Sequence, residues 1–228
     1  MQALQIMVRE FCRLIWPLSC AGCGQPDWHV CPQCQDLLNF EAQNIAPLVE
    51  SQTPIYGIHK YDGEMRNLIL GFKNLERTDL VKFFQQLIGR DVQSWIASGN
   101  GNCGRVLIVP APSTKKANLE RIVKPTEVLA RGVQLALTEA QPNLKHCIVD
   151  LLVQTKGEKQ ENLTYKERSR NKTNTISLAK KMSKRFPPPQ SIILVDDVLT
   201  TGSTLKECIY TLEDGGYQVQ TAMVVAKS

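Results

Sequence analysis

Residues 192–204 read Ile-Ile-Leu-Val-Asp-Asp-Val-Leu-Thr-Thr-Gly-Ser-Thr, and this run constrains the fold more than any other part of the chain. Its first four residues are apolar and, apart from Leu194, β-branched. Such a segment suits a strand with neither face in water, which belongs at the centre of a parallel sheet. Two carboxylates, Asp196 and Asp197, follow at the carboxyl end of the predicted strand. Five small residues come next: Thr200, Thr201, Gly202, Ser203 and Thr204. An amphipathic helix then starts near Ser203, with Leu205, Cys208, Ile209 and Leu212 on its apolar face.

Each part of this run has a chemical use. A tight loop entering a helix gathers unpaired amides at the positive end of the helix dipole, which makes a cradle for phosphate. Gly202 lets the backbone approach closely because it has no Cβ. Adjacent acids repel phosphate, but they accept hydrogen bonds from the vicinal hydroxyls of a ribose. Ligands of open α/β sheets sit outside the carboxyl ends of the strands. A phosphate on one side and a diol on the other describe a sugar phosphate.

The remaining sequence supports an α/β class. Residues 105–110 predict a strand, followed by a loop and a helix starting near Pro125, where a missing N–H costs nothing. Residues 147–153 predict a second core strand, 191–196 a third, and 219–226 a fourth after the Gly215-Gly216 helix stop. Upstream, residues 55–61 predict a strand. Residues 64–72 and 80–96 predict helices, with Met65, Leu68, Ile69 and Phe72, then Leu80, Phe83, Phe84, Leu87, Ile88, Val92 and Trp95, turned inward. The pattern is a doubly wound parallel sheet. Pro187-Pro188-Pro189 reads as a stiff connector.

The N-terminal part is different. Residues 3–16 have the spacing of an amphipathic helix ending before Pro17, which either packs on its own domain or binds a partner. Cys20-Ala-Gly-Cys23 and Cys31-Pro-Gln-Cys34 then form two Cys-x-x-Cys pairs seven residues apart. Two such pairs can close a tetrahedral Zn²⁺ site, and four sulfur ligands leave no position for water, so the zinc is expected to be structural. The expected organisation is a helix and four-cysteine zinc module over residues 1–50 and an α/β domain over 51–228.

Charge and composition narrow the setting. The chain has 228 residues, 43% hydrophobic and 21% charged, with a net charge of +5. Residues 154–185 hold ten Lys/Arg against three Glu, so the basic excess is concentrated there and an anionic partner is expected to meet it. No run approaches the ~18 apolar residues of a membrane helix. The start lacks a secretory pattern, so the expected location is the cytoplasm, where cysteines serve as thiols or metal ligands.

The segment 192–204 resembles the PRPP (phosphoribosyl pyrophosphate) signature of type I phosphoribosyltransferases. That resemblance implies that Asp196 and Asp197 hold the ribose 2′- and 3′-hydroxyls in the catalytic site. It also implies that Thr200, Thr201, Gly202, Ser203 and Thr204 hold the 5′-phosphate. The loop after the first core strand, Val109-Pro110-Ala111-Pro112-Ser113, corresponds to the family's pyrophosphate loop. By position, Ala111, Pro112 and Ser113 face the pyrophosphate, with Lys115 and Lys116 close by and Mg²⁺ accompanying PRPP. The polar stretch 154–171 matches the place of the family's catalytic loop, where Lys156, Lys159, Arg168 and Arg170 could neutralise a leaving pyrophosphate.

A second resemblance spans nearly the whole chain. It rests on the cysteine knuckle, Tyr61-Asp-Gly-Glu-Met-Arg-Asn-Leu-Ile, Phe72-Lys73, Val109-Pro-Ala-Pro, Gln160-x-x-Leu163, Glu167-Arg168-x-x-Asn171 and the signature. Together these resemble the ComF family of competence-associated proteins. The resemblance implies a role in DNA uptake during natural transformation, in the inward passage of single-stranded DNA. Expected partners are PRPP or ribose 5-phosphate, single-stranded DNA through the basic stretch 154–185, and DNA-uptake or DNA-processing proteins. Family members commonly carry Arg-Gly-Phe-Asn-Gln after the Pro-containing loop, where this chain has Asn118-Leu-Glu-Arg-Ile-Val-Lys-Pro125. Two alternatives stay open: a phosphoribosyltransferase of nucleotide salvage or biosynthesis, and a non-catalytic zinc-containing adaptor.

Overall fold

The computed structural model describes residues 18–39, 43–45, 53–57, 59–74, 77–100, 104–113, 124–155 and 175–228. The predicted helix at 3–16, Cys12, Cys103, Lys115, Lys116 and the basic residues between 156 and 172 lie outside them.

Among the described residues the main sheet has the order β1-β2-β9-β8-β4-β5, with β3 also on β9. Its strands are β1 (Gln43–Ile45), β2 (Ile55–Gly57), β3 (His59–Lys60), β4 (Val106–Pro110), β5 (Cys147–Ile148), β8 (Ser191–Leu199) and β9 (Gln218–Lys227). Every pairing is parallel except β1 with β2. The helices are α1 (Pro32–Gln35), α2 (Gly63–Asn74), α3 (Val81–Ala97), α4 (Pro125–Ala140), α5 (Lys180–Arg185) and α6 (Ser203–Asp214). None is long and apolar enough to cross a membrane. The expected class is therefore what the chain adopts: a mostly parallel α/β sheet with four cysteines clustered near its N-terminus.

Residue alternation along the central strands divides the core in two. Ile193 and Val195 of β8, Val106 and Ile108 of β4, and Met223 and Val225 of β9 face one cluster with α2, α3 and α4. Ile192 and Leu194, Leu107 and Val109, and Ala222 and Val224 face the other, with α6. Burying each such side chain contributes roughly 1.5–3 kcal/mol, and both faces of β8 collect that gain, which fixes it at the centre. The inward sets predicted for α2, α3 and α6 are all buried. Helices α3 and α4 meet closely at Gly132, where a Cβ would stand 2.7 Å from Gln85 O.

One segment departs from the pattern. Residues 147–153 do not form a single strand. β5 stops at Ile148, and Leu151 N–H turns back to Val149 O at 2.8 Å. The chain then enters β6 (Leu152–Gln154), which pairs antiparallel with β7 (Ile176–Leu178) in a separate two-stranded sheet. Exposed Asp150 lies at the break, and the apolar run on either side gives no hint of it.

Candidate functional site

The acid pair lies deeper in its strand than expected. β8 does not stop at Val195. It stays paired with β9 through Val198↔Ala226 and Leu199↔Lys227, because β9 continues far enough to supply partners. On its other edge, β4 ends with Pro110 opposite Val195, and Ala111 N–H donates to Val195 O at 2.8 Å. Asp196 and Asp197 are thus held on one edge and lie beyond the last β4 pairing on the other. The loop of Ala111, Pro112 and Ser113 leaves the sheet beside them.

Strand alternation sends the two carboxylates to opposite faces. Asp196 follows Ile192 and Leu194 toward α6, where burial of the Cys208 thiol, with the Asp196 and Glu207 charges, holds that thiol well above its usual range. Asp197 follows Ile193 and Val195 toward α2, and its Oδ2 lies 2.7 Å from Lys73 Nζ. Burial, reinforced by the neighbouring Asp197 charge, pushes Asp196 up to about 7. Asp197 N–H donates to Asp196 Oδ1 at 2.8 Å, and this bond and the Lys73 charge pull the other way.

The five-residue loop turns tightly into α6. Gly202 takes φ 74°, a left-handed conformation that costs a residue with a Cβ, and caps the twelve-residue helix α6. Lys206 N–H closes the first helical bond to Gly202 O. No acidic residue occupies the first turn, so nothing offsets the positive end of the dipole. Thr200, Thr201, Ser203 and Thr204 are exposed, and the Thr201 and Ser203 hydroxyls are 3.1 Å apart.

The loop of residues 111–113 opens on a cleft of about 220 Å³. Its lining includes Lys124, Glu127 and Asp150. Lys124 Nζ donates to Glu127 Oε1, and this contact together with the Asp150 charge keeps the Lys124 ammonium above its usual range.

The four cysteine sulfurs lie within 4.8 Å of one another. Cys31 N–H points at Cys20 Sγ over 3.3 Å. Burial opposes ionisation of Cys20, yet the N–H groups of Cys23, Cys31 and Gly22 bring it down to about 6. Burial and the crowding thiols raise Cys34, so the four sulfurs cannot all ionise together without a cation among them. This donor set could hold a metal ion such as zinc. The knuckle is bound to the body through Asn67 Nδ2, which donates to Gly22 O at 2.8 Å, and through the Arg77 guanidinium, which donates to Ser19 O at 3.2 Å. Asp79 holds Arg77 and also lies 2.6 Å from His29 Nδ1.

Two site residues escape sequence reasoning. Lys73 enters it only as part of a Phe-Lys dipeptide, although a lysine in the last turn of a helix also suits the helix dipole. Glu207 of α6 accepts from Thr175 N–H at 2.6 Å and Ile176 N–H at 2.8 Å, while Thr155 N–H donates to Thr175 O at 2.6 Å. Thr175 is thereby fastened to α6, and Thr155 is held to Thr175.

No protein-family model matches the chain, and no curated protein sequence matches it. Among solved structures it is similar to an adenine phosphoribosyltransferase, with TM-score 0.42 and 14% identity over 85% of this chain and 88% of that one. It is also similar to the adenine phosphoribosyltransferase of Saccharomyces cerevisiae, complexed with an imino-altritol bisphosphate and adenine (TM-score 0.41, 12% identity, 85% and 88% covered). A third is the orotate phosphoribosyltransferase of Aeropyrum pernix (TM-score 0.34, 17% identity, 73% and 66% covered).

Proposed function

We propose that the chain binds PRPP or ribose 5-phosphate on a type I phosphoribosyltransferase-like domain, and that it serves the inward passage of single-stranded DNA in natural transformation. The observation that carries the sugar-phosphate part is the acid pair on β8, which directly follows Val195, the acceptor of the Ala111 N–H, and leads into the Gly202-headed N-terminus of α6. In this reading the amides and hydroxyls of Thr200–Thr204 hold the 5′-phosphate, and the carboxylates accept from the ribose diol. Mg²⁺ arrives on the diphosphate. The pair is poor at holding that ion itself, since Asp197 is engaged by Lys73 and burial disfavours the charged form of Asp196. The four cysteines hold a structural zinc in the N-terminal module, whose proposed boundary with the α/β domain falls near residue 50.

The DNA part is supported by α5, where Lys180, Lys181, Lys184 and Arg185 are all exposed. Such a surface attracts nucleic acid by counterion release, with little sequence preference and a steep fall with salt.

Calorimetry with ribose 5-phosphate, and with PRPP plus Mg²⁺, tests the first part. The wild type should bind, and Asp196→Ala/Asp197→Ala should bind at least tenfold more weakly with its fold intact. Absence of wild-type binding, or equal binding by the double variant, defeats it. Gene disruption tests the second part: transformation should fall while DNA binding at the cell surface persists. A fluorescent oligonucleotide titrated at two salt concentrations should lose affinity on changing the four α5 cations to Gln.

A further inference from the structure

We propose that Lys73 is a positioning residue for the acid pair, fixing the Asp197 carboxylate and offsetting the charge of the pair so that an anionic sugar can approach. The proposal rests on the sugar-phosphate reading above.

The geometry is specific. Lys73 Nζ is 2.7 Å from Asp197 Oδ2, and the two side chains are only 21% and 20% exposed. A pair so placed is screened less than a surface one. Lys73 is also delivered by an element with little freedom. Phe72, its neighbour in α2, stacks on Phe84 of α3 with ring centroids 4.6 Å apart. On the face toward the knuckle, Asn67 bonds Gly22 O at 2.8 Å, and a Cβ at Gly71 would stand 3.7 Å from Ala21 Cβ. Helix α2 is therefore gripped by α3 and by the cysteine knuckle while its last turn reaches β8.

The charge balance gives Lys73 a task. Without a cation, two adjacent carboxylates would meet a ligand bearing a phosphate, or a phosphate and a diphosphate, and the repulsion would work against binding. Asp197 is met by Lys73 from α2. Asp196 is met by Asp197 along the strand and, from α6, by the Cys208 thiol, with Glu207 the further charge acting at that thiol. The facing residue of β9, Val224, is uncharged. Lys73 is the one cation among the described residues that acts on the Asp196 ionisation. It holds the Asp197 carboxylate in place and opposes the rise at Asp196.

The test compares the wild type with Lys73→Gln and Lys73→Arg. Ribose 5-phosphate binding is measured by calorimetry from pH 5.5 to 8.5, and the side-chain carboxyl carbons of both acids are followed by NMR without ligand. Lys73→Gln should weaken binding by about tenfold or more. It should move the pH midpoint of binding, and the Asp196 titration, to higher pH, and Lys73→Arg should restore both. A structural role alone would lower the melting temperature and leave the two midpoints in place, which overturns the proposal, as does unchanged affinity. If Lys73→Gln does not fold, the Arg variant decides: its Asp196 midpoint should stay near the wild-type value, and a midpoint shifted by more than one unit overturns the proposal. Should the wild type itself bind no ribose 5-phosphate, the sugar-phosphate reading fails, and the carboxyl titrations still report on Lys73.

Discussion

Ala111 donates its backbone N–H to the carbonyl of Val195, and this 2.8 Å bond joins the two halves of the candidate site. The loop that faces the cleft and the strand that carries the acids share one rigid junction. Pro110, just before it, is the last residue of β4 and pairs with Val195, and alternation along the strand directs the next N–H to β8. The spacing between Asp196 and Ala111 is thus set by sheet geometry and not by a flexible turn.

The pH dependence of ligand binding should carry the mark of Asp196. Its folded value of about 7 means that a carboxylate replaces a carboxylic acid as pH rises through neutrality. Affinity for ribose 5-phosphate should therefore climb between pH 6 and pH 8. The second ionisation of a phosphate near pH 6 tilts the curve the same way. The fraction that belongs to Asp196 is the fraction lost in Asp196→Asn. A pH profile unchanged in that variant would exclude the assignment.

Asp91 should respond oppositely in stability. It sits on the buried face of α3, neither of its oxygens has a hydrogen-bond partner among the described residues, and burial holds its carboxyl well above the usual range. With the folded value raised above the unfolded one, folding retains a proton that the unfolded chain releases from about pH 4 upward. That side chain weakens the fold progressively above this pH. Asp91→Leu should raise stability by ~1–3 kcal/mol at pH 8 and by less at pH 4, read by urea unfolding at the two pH values.

Gly132→Ala should be costly. The new methyl would lie 2.7 Å from both Gln85 O and Ile88 Cγ2, and a helix backbone cannot yield as a side-chain tip does. Separation of α3 from α4 should cost ~1–3 kcal/mol, seen as a lower urea midpoint with little change in slope. A neutral result would show the two helices free to slide.

Gly22 tests the knuckle. A Cβ there would stand 2.8 Å from Cys34 Sγ, within the cluster. Gly22→Ala should reduce bound zinc after a chelator challenge, whereas Gly24→Ala, whose site is open though its φ is 80°, should retain more. Removing zinc from the wild type should release the amides of residues 18–37 to hydrogen exchange before those of β8 and β9. Simultaneous exchange of all three would contradict a local module.

The central strands were legible because their residues are apolar on both faces, and helices α2, α3 and α6 because their inward residues recur at helical spacing. The start of α6 near Ser203 was legible because small residues and Gly202 precede its apolar helical spacing. Other features had no local signal. Leu151 and Leu152 look continuous with Ile148 and Val149, yet a turn at Asp150 sends them to another sheet. Asp91 sits among apolar residues at a spacing that predicts burial, but nothing nearby announces an uncompensated acid. The Lys73–Asp197 contact spans more than a hundred positions, and local periodicity cannot encode such a meeting. The Glu207 clasp on Thr175 is hidden for the same reason.

Strand β9 lies between β2 and β8, although it follows both in sequence. During synthesis the chain therefore makes the acid-bearing strand before the partner that supports one of its edges. Ile55 meets Ala222, and Asp196 meets Val224, only when that last strand has emerged. Until then β8 presents an apolar edge and two carboxylates with no fixed direction. Such long-range closure slows folding and leaves open strands exposed to other chains. Binding competence should arrive late and all at once, when one strand slots into the middle of the sheet.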